Sequence, residues 1–202
     1  EGSAQQILSS GGRHGDRMPI ERPITVFMNE VEVATMQATP DELEELACGF
    51  LVNEGLLSDR DALRSVDTDY KRGLVYVETN EDGPDELTDR KRYITSGCGK
   101  GVTFSSVGHA RDLTHVESEL QVSPSRIHGW MREMAGLTTK YRDTGGMLGC
   151  ALARGDDLLL VREDVGRHNA VAKLLGPAWP DRIRRQDAYR HSTGRISEAL
   201  GV

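Results

Sequence analysis

A chain of 202 residues with 25 Lys and Arg against 32 Asp and Glu carries a formal charge of −7 at pH 7. That balance argues against a general nucleic-acid binder, which usually carries a basic excess, and no run approaches the roughly 18 consecutive apolar residues of a membrane span. The length suits one main core plus a small second domain, and 28% charged with 37% apolar residues is the mix of a globular protein.

The polar, Gly- and Ser-rich opening, through Arg17, reads as a flexible tail over residues 1–20 rather than a signal peptide. Ile24–Met28 and Val31–Met36 then suggest a hairpin turning at Asn29-Glu30. Thr39 as cap, Pro40 at the first helical position and Glu42 three residues after the cap predict a helix start. Leu43, Leu46, Ala47, Phe50 and Leu51 follow the spacing of one buried face, and Gly55 is placed to end the helix. Cys48, beside that stripe, reads as structural. A strand is expected over Leu74–Thr79 after a Gly73 turn, and the acidic stretch from Asn80 to Asp89 makes a domain boundary, closing a small α+β unit over residues 21–88. In residues 89–202, Ser123-Pro124 opens a helix with Ile127, Trp130, Met131 and Met134 on its core side. Leu148–Ala153 and Leu158–Val161 are short strands around an Arg154–Asp157 turn. A last helix holds Ala170, Val171, Leu174 and Leu175 and stops at Gly176-Pro177.

Three places bear chemistry. Cys98 sits in Ile94-Thr95-Ser96-Gly97-Cys98-Gly99-Lys100-Gly101, with Arg90, Lys91 and Arg92 upstream. Glycines give such a loop reach, and nearby cations stabilise a thiolate, the nucleophilic form. Thr144-Gly145-Gly146 forms a tight turn before a strand. Asp164-Val165-Gly166-Arg167-His168-Asn169 leads from a strand into a helix, where free amides and the helix dipole favour anions. Arg167, His168, Asn169 and Lys173 add donors suited to phosphate or a nucleobase, and Asp164 is placed either to cap the helix or to meet a ligand. The three cysteines, Cys48, Cys98 and Cys150, are isolated and odd in number, which disfavours a disulfide scaffold and points to a reducing cytoplasm. No Cys-x-x-Cys pair supports zinc, and His115-Val116-Glu117 lacks the Pro-Cys-x-x-Cys that would complete a deaminase site.

Six blocks in order resemble the formate dehydrogenase accessory sulfurtransferases, the FdhD/NarQ type. They are Glu21-Arg22-Pro23-Ile24; Ala38-Thr39-Pro40 with Gly49-Phe50-Leu51 and Glu54-Gly55; Ser96-Gly97-Cys98-Gly99; Thr144-Gly145-Gly146; Glu163 through Val171; and Thr193-Gly194-Arg195-Ile196-Ser197-Glu198. The resemblance implies an α/β fold with a cytidine-deaminase-like, mixed-sheet main domain lacking zinc, beside the smaller N-terminal α+β domain. It implies a cytoplasmic homodimer that receives sulfane sulfur on Cys98 from a cysteine desulfurase. The sulfur would pass to the bis-molybdopterin guanine dinucleotide cofactor, as bound ligand and substrate, for the formate dehydrogenase apoenzyme. Thr144, Gly145 and Gly146, with Asp164 through Asn169 (Gly166, Arg167 and His168 among them), match blocks associated with the guanine dinucleotide. The chain departs from the family pattern at Gly101, where many members carry a second cysteine, at Leu148 in place of a histidine, and at Ala172 in place of an aspartate. It also ends soon after Thr193-Gly194-Arg195, which reads as a shortened C-terminus. The rival reading is a non-catalytic chaperone that binds the same cofactor and docks it into formate dehydrogenase.

Overall fold

The computed structural model describes residues 2–7, 13–58, 60–81, 93–94, 118–178 and 187–194. Cys98 with its glycine-rich flanks and His115–Glu117 lie outside the described residues.

The segment expected to be a tail carries strands β1 (Gly2–Ile7) and β2 (Arg13–Met18), paired antiparallel. Their sequences lack the apolar alternation that reveals a strand, so pattern alone could not find them. The expected hairpin forms from β3 (Arg22–Met28) and β4 (Val31–Ala38). Ile24, Val26 and Met28 alternate inward, and a bulge at Val33 lets both Val33 and Ala34 face the core. Asn29 and Glu30 have φ of 47° and 68°, the left-handed pair of a type I′ turn. Asn29 suits that conformation and also bridges, donating from Nδ2 to the Glu81 carbonyl at 2.9 Å and accepting the Thr79 amide at 2.8 Å. Glu30 has no such compensation. Glu30→Gly should therefore stabilise the protein by about 0.5–1 kcal/mol in urea unfolding; a loss of stability would contradict this account of the turn.

Helix α1 (Leu43–Asn53) buries Leu43, Leu46, Ala47, Phe50 and Leu51 as its spacing predicts, and Gly55 follows it at φ 70°. Its start is not the expected one. Glu42, at φ 49°, precedes the first helical residue, and no side chain caps the helix. Thr39 is instead committed elsewhere, as shown below. β5 (Leu63–Asp69) and β6 (Leu74–Thr79), joined through Gly73 at φ 70°, complete a sheet ordered β5-β6-β3-β4-β7, with β7 being Tyr93–Ile94. Within it β3 runs parallel to β6, and β4 parallel to β7. Cys48 is buried on α1, and burial followed by the Glu44 charge pushes its thiol up to about 11, as befits a packing residue.

Helix α2 (Pro124–Leu137) begins as expected, with Ser123 Oγ accepting the Arg126 amide at 3.3 Å. Trp130 and Met134 are buried, but Ile127 is exposed, so the core side is narrower than expected. A short helix α3 (Thr139–Thr144) follows. The second sheet is ordered β10-β8-β9 and is antiparallel, from β8 (Leu148–Arg154), β9 (Asp157–Asp164) and β10 (Tyr189–Ser192). Helix α4 (Arg167–Ala178) ends one residue past the expected Gly176-Pro177 stop. Gly176 also serves a helix crossing: a Cβ on it would lie 2.2 Å from the Glu45 carbonyl oxygen of α1. Ala172 of α4 joins the core built by β3, β4, β6 and α1, so α4 is shared between the two sheets. The fold is α/β, and no helix among the described residues is long and apolar enough to cross a membrane.

Candidate functional site

Thr39 joins the two turns that the sequence singled out. Its amide donates to Asp164 Oδ2 at 3.1 Å, and its hydroxyl accepts the Val165 amide at 3.3 Å. That same hydroxyl lies 3.9 Å from the sulfur of Met147, the residue after Gly146. The threonine is thus spent on the β9–α4 turn, which explains why it does not cap α1.

Beneath this turn lies a buried ionic cluster. Lys173 and Asp164 are both 0% exposed and paired at 2.9 Å. Lys173 Nζ also meets the Thr39 carbonyl at 3.0 Å and Asp41 Oδ1 at 2.5 Å, so all three ammonium protons have oxygen partners. Asp164 Oδ1 accepts the Gly166 amide at 2.8 Å and Asn169 Nδ2 at 3.0 Å. Asn169 Nδ2 donates to the Gln37 carbonyl as well. Lys173 and Asn169 were expected to face a ligand, and Asp164 either to do so or to cap the helix; here all three are engaged by protein groups at the start of α4 and brace the turn from below. Burial pushes the Asp164 carboxyl up despite Lys173. Burial also opposes ionisation of Asp41, but Lys173 and Lys140 outweigh it and hold that carboxyl below its ordinary value.

The exposed part of the turn is what remains. Arg167 and His168 occupy the first turn of α4; His168 is exposed by its surface area, and partial desolvation by the atoms packed around it, with the Arg167 charge, holds the imidazole below its ordinary pKa. Gly194 approaches them closely: a Cβ there would lie 3.2 Å from Arg167 Cβ and 3.7 Å from Leu148 Cδ2. The Thr193-Gly194 block therefore adjoins both the Arg167 block and the departing Leu148. Thr193 is itself fixed by a hydrogen bond between its hydroxyl and the Gly149 amide at 3.0 Å.

Thr144-Gly145-Gly146 ends α3, with Gly145 at φ 66°. The Thr144 hydroxyl donates to the Lys140 carbonyl at 2.7 Å and accepts the Gly146 amide at 3.2 Å. Thr144 also lines a cleft of about 240 Å3 together with Thr39, Asp41, Lys140, Pro19 and Met147. Lys140 pairs with Asp41 across that cleft, and its own amide is held by Glu163 Oε2 at 3.1 Å. Asp41 and Lys140 were missed in the sequence. Residues 41, 140 and 173 carry no local pattern linking them, although Asp41 directly follows the Ala38-Thr39-Pro40 block.

The model of the FdhD/NarQ family matches residues 19–200. The chain belongs to that family. It is 35% identical over 186 residues to the "Sulfur carrier protein FdhD" of Bacillus subtilis, covering 92% of this chain and 71% of that protein. The protein of the same name from Staphylococcus aureus (strain MRSA252) is 36% identical over 186 residues, at 92% and 70% coverage. A crystal structure described as a formate dehydrogenase accessory protein from Desulfotalea psychrophila superposes with a TM-score of 0.74 at 22% identity, covering 98% of this chain and 75% of that one. At that identity the superposition speaks for the fold. Of the blocks singled out in the sequence, those at Thr39 and Thr193-Gly194 adjoin the Asp164–Arg167 turn, and the one at Thr144 lines the cleft beside Thr39.

Proposed function

We propose that this protein is a sulfur carrier in formate dehydrogenase maturation, a sulfurtransferase working through a persulfide on Cys98. The observation that carries the reading is a lone thiol in a glycine-rich, cationic stretch of sequence, within a chain matched by the FdhD/NarQ family over residues 19–200. In the first step the Cys98 thiolate attacks the outer sulfur of a cysteine desulfurase persulfide. The donor's S–S bond breaks, a Cys98 S–S bond forms, and the desulfurase leaves as a thiolate, so no external oxidant is required. A free thiol near pKa 8.5 is only a few per cent ionised at neutral pH, and Lys100 and Arg92 would raise that fraction. In the second step the bis-molybdopterin guanine dinucleotide cofactor, the substrate of the relay, would supply the electron pair that takes the outer sulfur: the Cys98 S–S bond breaks, a sulfur bond to the cofactor forms, Cys98 leaves as a thiolate, and the cofactor is oxidised by two electrons as the sulfur goes from the sulfane to the sulfide level. Its phosphates and base are assigned to Arg167, His168 and the Thr144–Gly146 turn, while Asp164, Asn169 and Lys173 support from beneath. Cytoplasmic location and a homodimer belong to the same reading.

Cys98→Ala should accept no sulfur from a cysteine desulfurase while keeping the native melting temperature. Mass spectrometry of the intact protein checks this, since a persulfide adds about 32 Da. A persulfide persisting on the variant would move the carrier role to another residue. Leu148 favours one rival: an apolar side chain that shares Gly194 as a neighbour with Arg167, at a position where the family resemblance leads one to expect histidine, leaves fewer polar groups for chemistry. A chaperone that binds and docks the same cofactor would deliver it equally well with and without Cys98.

A further inference from the structure

Glu163 and Asp164 stand side by side at the end of β9, and successive side chains of a strand leave on opposite faces. The two carboxylates therefore serve different neighbours. Asp164 holds the Thr39 amide and, through Lys173, Asp41, and these residues form one wall of the cleft beside Thr144. Glu163 holds the other wall. It is 6% exposed, and its two oxygens are divided between consecutive amides of α3: Oε2 accepts from Lys140 at 3.1 Å and Oε1 from Tyr141 at 2.7 Å.

Those amides belong to the first turn of the helix, where no intrahelical carbonyl can reach them. Thr138, ahead of the helix, makes no side-chain cap. Glu163 supplies the cap instead, from a strand 22 and 23 residues further along the chain. With six residues, α3 falls far short of the roughly 12–15 at which a helix becomes even marginal on its own in water. Its orientation is set by what grips it. Lys140 is the joint: its amide is bound to Glu163, its carbonyl accepts the Thr144 hydroxyl at 2.7 Å, and its ammonium pairs with Asp41 across the cleft. Thr144 in turn accepts the Gly146 amide at 3.2 Å. A continuous run of hydrogen bonds thus leads from Glu163 to the glycines of the turn.

A carboxylate is what this position needs. Both partners are N–H donors, and a carboxylate accepts on both oxygens; glutamine, of the same size, would turn its NH2 toward one of the amides. We propose that Glu163 is a positioning residue for ligand binding at Thr144-Gly145-Gly146: it fixes α3, and with Asp164 it sets the separation of the two walls of the cleft. It acts through α3 and touches no ligand. The inference rests on the reading of this turn as part of the cofactor site.

Isothermal titration of the full chain with GDP tests it. Glu163→Gln should weaken GDP binding about tenfold, while the melting temperature falls by only a few degrees. The loss should be lodged in the turn. Thr144→Val should cost the parent several-fold in affinity but cost Glu163→Gln little more, because the turn is already displaced there. Arg167→Gln, on the other turn, should cost both proteins the same factor. Without ligand, the Gly145 amide, bonded to the Tyr141 carbonyl at 2.7 Å, should exchange its hydrogen several-fold faster in Glu163→Gln. Glu163→Asp keeps the charge but shortens the reach; it should give an intermediate loss, and it keeps the test decisive if the glutamine variant does not fold. Unchanged GDP affinity in both Glu163 variants, or a Thr144→Val cost equal in both backgrounds, overturns the positioning role and leaves the cofactor reading standing. A parent chain that binds no GDP removes that reading and this inference with it, even where exchange at Gly145 responds to Glu163→Gln.

Discussion

Replacing Gly49 with alanine should cost about 3–5 kcal/mol of stability and lower the melting temperature by roughly 10 °C. The added Cβ would lie 1.8 Å from the Ala172 carbonyl oxygen, 2.6 Å from its carbon and 2.9 Å from the Gly176 amide nitrogen. These are backbone atoms of α4, so no rotamer change relieves the clash, and α1 and α4 must move apart. Separation exposes Phe50 and Ala47 on one side and Ala172 on the other, all members of one core. Gly176→Ala should behave alike, since its Cβ would meet Glu45 backbone atoms at 2.2–2.8 Å. Because one separation relieves both clashes, the double variant should lose less than the sum of the singles. Gly136→Ala is the control: on α2 its Cβ would meet nothing within 4 Å, so it should gain up to about 1 kcal/mol. Thermal and urea unfolding measure all four. A Gly49→Ala protein within 1 kcal/mol of the parent would mean that the helices do not cross this closely.

That crossing marks the limit of what the sequence made legible. The β3–β4 hairpin, the buried face of α1, β6, and the β8–β9 pair were readable because each is a local pattern: alternation, a 3,4 spacing, a glycine at a turn. The end of α4 falls within a residue of the expected Gly176-Pro177 stop, but the glycine has a second reason that no local pattern shows: the α1 backbone approaches it too closely for a Cβ. Thr39-Pro40 failed as a helix start because its polar groups hold a turn some 125 residues later. The site was legible in part. Motifs placed Thr144–Gly146 and Asp164–Asn169 in the account, but nothing local distinguishes an outward donor such as His168 from an inward one such as Lys173. The helical period offers a hint, since Lys173 lies three residues from Ala170 and one from Leu174, both buried. A lysine at that position needs a buried acid, and only the fold shows that Asp164 and Asp41 supply it.

Lys173→Met should destabilise the protein by about 3–5 kcal/mol at pH 7, the cost expected when one partner of a buried pair is removed. Methionine fills the space, but it leaves the Asp164 carboxylate, 0% exposed, without a counter-charge, and leaves the Thr39 carbonyl and Asp41 Oδ1 without their donor. The pH dependence separates this cause from simple misfit. In the parent, Asp41 titrates below its ordinary 3.8, so its contribution is present above that pH and is lost as the pH falls through the lower folded value. Asp164 behaves in the opposite sense: burial raises its carboxyl above 3.8, so protonation favours the folded state. Removing Lys173 takes away the charge that lowers both, and both carboxyls move up. The deficit of Lys173→Met relative to the parent should therefore shrink as the pH falls from 7 toward 4. A deficit caused by poor packing would stay constant. Adding Asp164→Asn should recover at least half of the loss at pH 7, because the amide oxygen can still accept from Gly166 while the buried charge is gone. Urea unfolding of the parent, the single and the double variant at pH 7 and pH 4.5 measures this. A single-variant deficit that grows on acidification, or a double variant no better than the single, would show that Lys173 acts by its bulk and not by its charge.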